Sequence, residues 1–193
     1  GEAIRRIHFP ESMDEAEQGR RRLATDEFIA LQLELRRRRR SLEANAKGLP
    51  CAGDNRFIKP FLKALGFTLT DGQTSVLREI RHDLGAAHPM RRLLQGDVGC
   101  GKTVVAACSA LMALESGYSV ALMAPTEILA EQHYNHFKTW CDGMPIRLFM
   151  QTGSQKTRAE SAGQPTLYIG THALIQERFA MERLGLVIID EQH

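Results

Sequence analysis

Residues 96–103 constrain the fold more than any other part of the chain. They read Gly-Asp-Val-Gly-Cys-Gly-Lys-Thr and match the pattern G-x-x-x-x-G-K-[ST]. The glycines of this pattern let consecutive backbone N–H groups turn inward around a polyphosphate, and a helix N-terminus completes the anion site. The lysine places a charge on the β- and γ-phosphates, and the threonine hydroxyl is offered to Mg²⁺. The predicted phosphate-binding residues are Gly96, Asp97, Val98, Gly99, Cys100, Gly101, Lys102 and Thr103. The alternative is a glycine-rich turn that binds nothing.

The regions beside this loop fit a strand–loop–helix unit. A short apolar run ends at Leu93-Leu94, and residues 104–114 are apolar nearly all round, as in a buried helix. Strands are predicted at 93–94, 120–123, 146–150, 167–169 and 186–190, and helices near 76–84 and at 102–115, 127–140, 155–161 (weakly) and 172–176. Because strands and helices alternate, we expect an α/β fold with a parallel sheet flanked by helices.

The first third of the chain has a different pattern. Ser12 and Glu15 form a capping-box signature, and apolar residues then recur at helical spacing through Phe28 and Leu35. This predicts one long amphipathic helix that ends in five consecutive arginines at 36–40. Such a run is either a solvated helix face or a phosphate contact. Residues 46–55 resemble a linker, and 60–65 a short helix.

Composition excludes some classes of protein. In 193 residues there is no apolar run long enough to span a membrane, and the first residues do not resemble a signal peptide. The net charge of +2 favours neither the presence nor the absence of a nucleic-acid partner. The four cysteines form no C-x-x-C pair, so we expect reduced thiols in a cytoplasmic protein.

A second chemical feature ends the chain. The apolar segment 186–189 is followed by Asp190 and Glu191. Ligands of parallel sheets bind at the carboxyl ends of the strands, so we expect these carboxylates beside the phosphate loop. Asp190 would hold Mg²⁺ together with Thr103, and Glu191 would orient and deprotonate the attacking water. The alternative is an exposed acidic strand end.

Four segments together resemble motifs of a known family: 96–103, 124–133 (Ala-Pro-Thr-Glu-Ile-Leu-Ala-Glu-Gln-His), 170–174 (Gly-Thr-His-Ala-Leu) and 190–193 (Asp-Glu-Gln-His). The chain resembles superfamily 2 helicases and, within them, the RecG family of ATP-dependent branched-DNA helicases. The resemblance implies a RecA-like lobe over 67–193, truncated after the last motif, and a helical connector over 1–66. It also implies ATP and Mg²⁺ as cofactors and a monomeric protein. The implied partners are replication forks and recombination intermediates, with no membrane.

The resemblance also implies roles for single residues outside the phosphate loop. Phe67 and Gln73 match the segment that contacts adenine, although Gln73 also completes a capping box with Thr70. The residues that match DNA-backbone contacts are Pro125, Thr126, Thr152, Gly153, Thr171 and His172. Helix capping or turn formation is the alternative for each of these turns. His133 and His172 are equally compatible with contacts and with helix surfaces.

The sequence departs from the family pattern in two places. Cys100 stands where the family has serine, and the segment 154–168 is short, so its crossover helix is uncertain. The resemblance further implies a second motor lobe and a DNA-binding wedge, which this sequence does not contain. We therefore expect the chain alone to bind nucleotide weakly and to hydrolyse it negligibly. The alternatives are a P-loop NTPase of a non-helicase class and a non-catalytic interaction fragment.

Overall fold

The computed structural model of the chain describes residues 1–154, 164–176 and 181–191. The chain divides into two compact units, Gly1–Lys47 and Gly48–His193. The helices are α1 (Glu2–His8), α2 (Met13–Asn45), α3 (Ile58–Ala64), α4 (Asp71–Leu84), α5 (Lys102–Glu115), α6 (Glu127–Trp140) and α7 (Ala173–Gln176). The strands are β1 (Ser119–Met123), β2 (Arg147–Gln151), β3 (Thr166–Gly170) and β4 (Leu184–Ile189).

The first unit is a helical hairpin of α1 and α2. The long helix α2 was predicted; α1 was not. The predicted capping box forms in part, because Glu15 N donates to Ser12 Oγ at 3.2 Å while the Glu15 carboxylate accepts from Glu11 N. Phe28 and Leu35 of the apolar stripe are 61% and 50% exposed.

The second unit is built on a parallel sheet with strand order β2-β3-β1-β4. Every ladder in this sheet is parallel, and β1 lies between β3 and β4. All five residues of β1 are buried, which explains why this strand reads as a continuous apolar run. The predicted parallel α/β fold is therefore confirmed.

Helix α5 forms the centre of the core of this unit. It packs against β1, β3 and β4 and against helices α3 and α4. Eleven of its residues are buried, from Val104 to Glu115. Because a helix that is apolar on all sides requires cover on all sides, this burial accounts for the unbroken hydrophobic run after the phosphate loop.

The strand predicted at Leu93-Leu94 is wrong. Within the described residues, 91–97 has no regular secondary structure, and Leu93 is 81% exposed. A strand exists only where a neighbour accepts its hydrogen bonds. The sheet of the described chain ends at β4, and no described strand lies beyond it. Helix α4 begins at Asp71, five residues before the predicted 76–84, and α2 continues to Asn45, five residues past the predicted end in the arginine run. The other predicted strands and helices are displaced by at most two residues, and the helix predicted at 155–161 lies outside the described residues.

The segment before α3 is irregular but is held in place within the second unit. The buried carboxylate of Glu115 accepts four backbone N–H groups, at 2.6–2.9 Å. The donors are Asp54, Asn55, Phe57 and Ile58. The C-terminal end of α5 thus fixes part of the predicted linker. The proposed domain division at residue 66 remains a prediction.

Candidate functional site

The phosphate loop and the acidic strand end lie at the same edge of the sheet. Helix α5 joins β1 through a three-residue turn and runs back along the sheet. Its 14 residues span about 21 Å and the five residues of β1 about 17 Å. The N-terminus of α5, at Lys102, is therefore level with the carboxyl end of β1. Asp190 N donates to Met123 O at 2.8 Å, so Asp190 is level with that end too.

The loop itself has the conformation that its glycines predict. Gly99 and Gly101 adopt φ of +81° and +85°, a region in which a side chain is strained. A Cβ on Gly101 would also lie 2.4 Å from the amide nitrogen of Gln73. Lys102 Nζ donates to Gly96 O and Asp97 O at 2.8 Å each. The ammonium group thus lies over the backbone of the loop.

Gln73 connects helix α4 to this loop. The capping box with Thr70 is complete: Thr70 N donates to Gln73 Oε1, and Gln73 N donates to Thr70 Oγ1. The same side chain donates from Nε2 to Cys100 O at 2.9 Å. A primary amide has two N–H bonds and two acceptor lone pairs, so Gln73 retains one of each for a base edge. Contact with adenine by Gln73, and by the 53%-exposed Phe67, stays a prediction.

The acidic pair follows β4 directly. Asp190 Oδ2 lies 2.7 Å from Nε2 of His133, and His133 is buried on α6. Glu191 is exposed and adopts φ of +49°, so the chain turns sharply after the strand. Gln192 and His193, the last two residues of the predicted motif, lie outside the described residues.

The turns that match DNA contacts follow the three neighbouring strands of the same edge. Pro125 and Thr126 come after β1, Thr152 and Gly153 after β2, and Thr171 and His172 after β3. Thr126 caps α6 by accepting Leu129 N at 3.3 Å, so the capping interpretation is confirmed there. Its hydroxyl hydrogen remains available to a phosphate.

Two of these turns are bonded to each other. Glu127 accepts Ser154 N at 3.2 Å and the Ser154 hydroxyl at 2.6 Å. This carboxylate holds the turn after β2 against the start of α6. Thr152 is buried, whereas Gly153, Thr126 and His172 are exposed. The turns therefore expose the hydroxyl of Thr126 and the backbone of Gly153, groups that suit a phosphate rather than a base edge.

The residues at this edge fit a magnesium–nucleotide complex. Thr103 and Asp190 supply a hydroxyl and a carboxylate oxygen, the hard ligands that Mg²⁺ prefers. Among residues 1–154, 164–176 and 181–191 no cluster of three His, Cys, Asp or Glu could hold a metal by itself. A magnesium ion that is shared with phosphates needs only one or two protein ligands, so the donor set is sufficient.

Cysteine chemistry at this site concerns one residue. All four cysteines are free thiols, and Cys100 is exposed in the loop. Its Sγ lies against Gly96, where an added Cβ would be 2.8 Å away. Burial raises the pKa of Cys108 to about 12 and that of Cys141 to about 11, and it also raises the pKa of Cys51.

The sequence patterns missed three contacts: His133 with Asp190, Gln73 with Cys100, and Glu115 with the segment before α3. Each joins residues at least 27 positions apart. Periodicity reports which face of an element is buried, but it does not report what lies opposite. The only available signal for His133 was its place in the segment 124–133.

A parallel sheet with flanking helices, a phosphate loop and an acidic strand end at one edge of that sheet are typical of helicases, in which they form the motor lobe. The profile of the DEAD/DEAH box helicases matches residues 70–193, so the chain belongs to the DEAD/DEAH box helicase family. Its parallel sheet with flanking helices is the RecA-like lobe that the motifs predicted.

Among helicases, the individual relatives that this chain resembles are RecG proteins. A Synechocystis sp. protein described as ATP-dependent DNA helicase RecG is 46% identical over 99% of this chain and 24% of that protein. RecG of Escherichia coli K12 is 41% identical over 100% of this chain and 30% of that protein. A solved structure of RecG bound to a three-way DNA junction matches with a TM-score of 0.85 and 41% identity, over 99% of this chain and 27% of that one. The predicted resemblance to RecG is confirmed. The chain spans 24–30% of the relatives' length.

Proposed function

We propose that this chain contains the nucleotide-binding part of an ATP-dependent helicase that acts on branched DNA. One observation supports it most. The strand order β2-β3-β1-β4 aligns three phosphate-compatible turns with Asp190 and Glu191 along one edge of the sheet. A small-molecule NTPase requires the carboxylates at the end of β4, but its reaction does not require phosphate-compatible turns after β1, β2 and β3.

In this proposal the residues of the loop bind the triphosphate of ATP. Lys102 exchanges its two carbonyl partners for the β- and γ-phosphates, and the backbone N–H groups after Gly99 and Gly101 donate to phosphate oxygens. Thr103 and Asp190 would hold Mg²⁺, which when bound would neutralise charge on the phosphates. Glu191 orients a water and accepts its proton. Gln73 and Phe67 contact the adenine.

The turns after the other three strands bind the DNA backbone. Thr126 and Thr171 offer hydroxyls and helix N-terminal amides, and Gly153 offers its backbone. These groups carry no base-specific pattern, so we expect binding that depends on DNA shape and salt and not on sequence. His172 and Pro125 border the same surface.

Hydrolysis and unwinding belong, in this proposal, to a longer protein of which the chain is a part. We propose a monomeric protein in the cytoplasm; the free thiols at all four cysteines support the reducing compartment only. None of the helices in the described part of the chain is long and apolar enough to cross a membrane. The isolated chain should turn over ATP very slowly, because an arginine finger from another lobe is worth about 10³–10⁵ in rate.

Nucleotide titration tests the proposed site. A fluorescent ATP analogue should bind in the presence of Mg²⁺, and Lys102→Ala should weaken binding at least about tenfold by removing a charge from the phosphates. Arg78→Ala, a change of an exposed cation on α4, serves as the control for lost charge. Equal signals from wild type and Lys102→Ala would favour a non-catalytic interaction fragment instead.

DNA binding by the full-length protein separates a helicase from a small-molecule NTPase. Affinity for a three-way junction should fall steeply with salt, because released counterions dominate phosphate recognition. Thr126→Ala combined with Thr171→Ala should weaken binding without changing nucleotide affinity. If the protein binds ATP normally but shows no salt-dependent affinity for DNA, the helicase interpretation is excluded.

A further inference from the structure

The carboxylate of Asp190 is held from one side by an imidazole. His133 Nε2 and Asp190 Oδ2 lie 2.7 Å apart, and their side chains are 10% and 36% exposed. This is a short, partly buried hydrogen bond between residues 57 positions apart in the chain. It involves one carboxylate oxygen and leaves Oδ1 for another ligand.

The buried nitrogen of the ring indicates which group donates. His133 Nδ1 is buried, and no residue in the described part of the chain bonds to it. A hydrogen on Nδ1 would be a buried donor without an acceptor, which costs about 1–3 kcal/mol, whereas a bare lone pair costs less. The ring therefore donates to Asp190 through its Nε2 hydrogen.

The ring has little freedom to move away from this position. His133 lies on the buried face of α6 with Ala130 three residues before it and Phe137 four residues after it. These two are 0% and 1% exposed. Asp190, in contrast, follows β4, whose residues Val187 and Ile189 are about half exposed. The anchored partner in this pair is the histidine.

We propose that His133 is the positioning residue for the magnesium carboxylate: it fixes the orientation of Asp190 so that its other oxygen is offered to Mg²⁺. This inference rests on the proposed function of Asp190 as a metal ligand. Partners that orient a metal ligand typically change metal affinity 10–100-fold when they are removed. His133 itself touches neither metal nor nucleotide in this arrangement.

The test measures Mg²⁺ affinity in the full-length protein that contains this chain. A fluorescent ATP analogue is titrated at fixed protein concentration over a series of Mg²⁺ concentrations and once in EDTA. The paired variants are His133→Gln and His133→Asn. A glutamine amide nitrogen can occupy the place of Nε2, whereas the shorter asparagine amide reaches only the place of Nδ1. His133→Phe removes the donor altogether, and His136→Phe on the exposed side of α6 is the control.

We expect His133→Asn and His133→Phe to raise the half-saturating Mg²⁺ concentration about tenfold or more, and His133→Gln to restore it to within about threefold of wild type. Nucleotide affinity in EDTA should be equal in all variants, because the phosphate loop is unchanged. If the phenylalanine variant does not fold, the Gln–Asn pair carries the same comparison.

Two failures are distinguishable. If His133→Asn has the Mg²⁺ dependence of wild type, or if the Gln and Asn variants raise the half-saturating Mg²⁺ concentration equally, the positioning role is wrong. The proposed metal site is not contradicted by either result. If wild type itself binds nucleotide with no dependence on Mg²⁺, the proposed metal site fails, and the positioning role fails with it.

Discussion

Helices α2 and α5 contrast more sharply than any other two elements of the molecule. Helix α2 has 33 residues, and among those whose burial is described only Gly19, which has no side chain, is buried. Helix α5 has 14 residues, of which 11 are buried. Both were predicted from periodicity, yet α5 is stabilised by packing against its surroundings and α2 mainly by local interactions along its own surface. Substitutions in α5 should therefore be far more costly than matched substitutions in α2.

Thiol reactivity gives the largest expected effect of the burial of α5, seen when Cys108 in α5 is compared with the exposed Cys100 of the phosphate loop. The pKa of Cys108, inside α5, is raised to about 12 by burial, so at pH 8 its thiolate is scarce. In the native protein a maleimide should label Cys100 at least about 10³-fold faster than Cys108, as measured by mass spectrometry of digests. Labelled protein should no longer bind ATP, because the adduct lies against Gly96. Rapid labelling of Cys108 would mean that α5 is not covered, and normal ATP binding after labelling would remove Cys100 from the site.

Truncating a leucine in each helix compares their packing. Leu111→Ala in α5 should lower the free energy of unfolding by about 2–5 kcal/mol, because Leu111 is 1% exposed and leaves a cavity. Leu31→Ala in α2, at 55% exposure, should cost less than about 1 kcal/mol. Denaturant unfolding followed by Trp140 fluorescence reports the first change, since Trp140 packs on Phe61 and Phe137. Equal costs would contradict the contrast.

A carboxylate in each helix compares their polar interactions. Glu115→Gln in α5 should cost about 2–4 kcal/mol, because the new amide group points an N–H toward two backbone donors. Glu17→Gln in α2 should cost under about 0.5 kcal/mol, since its partner Arg21 is 81% exposed. Thermal unfolding of both variants checks this, and a Glu115→Gln protein as stable as wild type would mean that the four bonds are not formed.

The smallest expected effect concerns the arginine run. Arg38→Gln removes an exposed pair with Glu34 at 3.0 Å and should change helicity by the equivalent of about 0.3–0.5 kcal/mol. Far-UV circular dichroism at low and high salt measures it, and 1 M salt should erase the difference. An effect that persists at high salt would show that α2 is stabilised by packing at this position.

Sequence predicted the elements whose causes are local. The predicted bounds of α5 and α6 match the structure, because a glycine loop and the Thr126 cap define where these helices begin. The strand at Leu93-Leu94 was wrong because a strand depends on a partner elsewhere in the chain. Helix α1 was missed because it buries no residue and so shows no apolar period.

The candidate site was predictable to the same extent. The phosphate loop and the acidic strand end could be read from spacing, and the parallel topology explains why both lie at one edge. The partner of Asp190 could not be read, because His133 reaches it only after α6 and β4 have both packed. Spacing within one sequence reports chemistry along an element; it does not report pairs across elements.

The four backbone N–H bonds to the Glu115 carboxylate have a mechanical consequence for the phosphate loop at the opposite end of α5. A helix of 14 residues transmits axial displacement nearly as a rigid rod, since stretching it would break its own backbone bonds. If nucleotide draws the loop along this axis, the four amides at 54–58 must follow or detach. A change at the phosphates would then displace the backbone that enters α3, about 20 Å away.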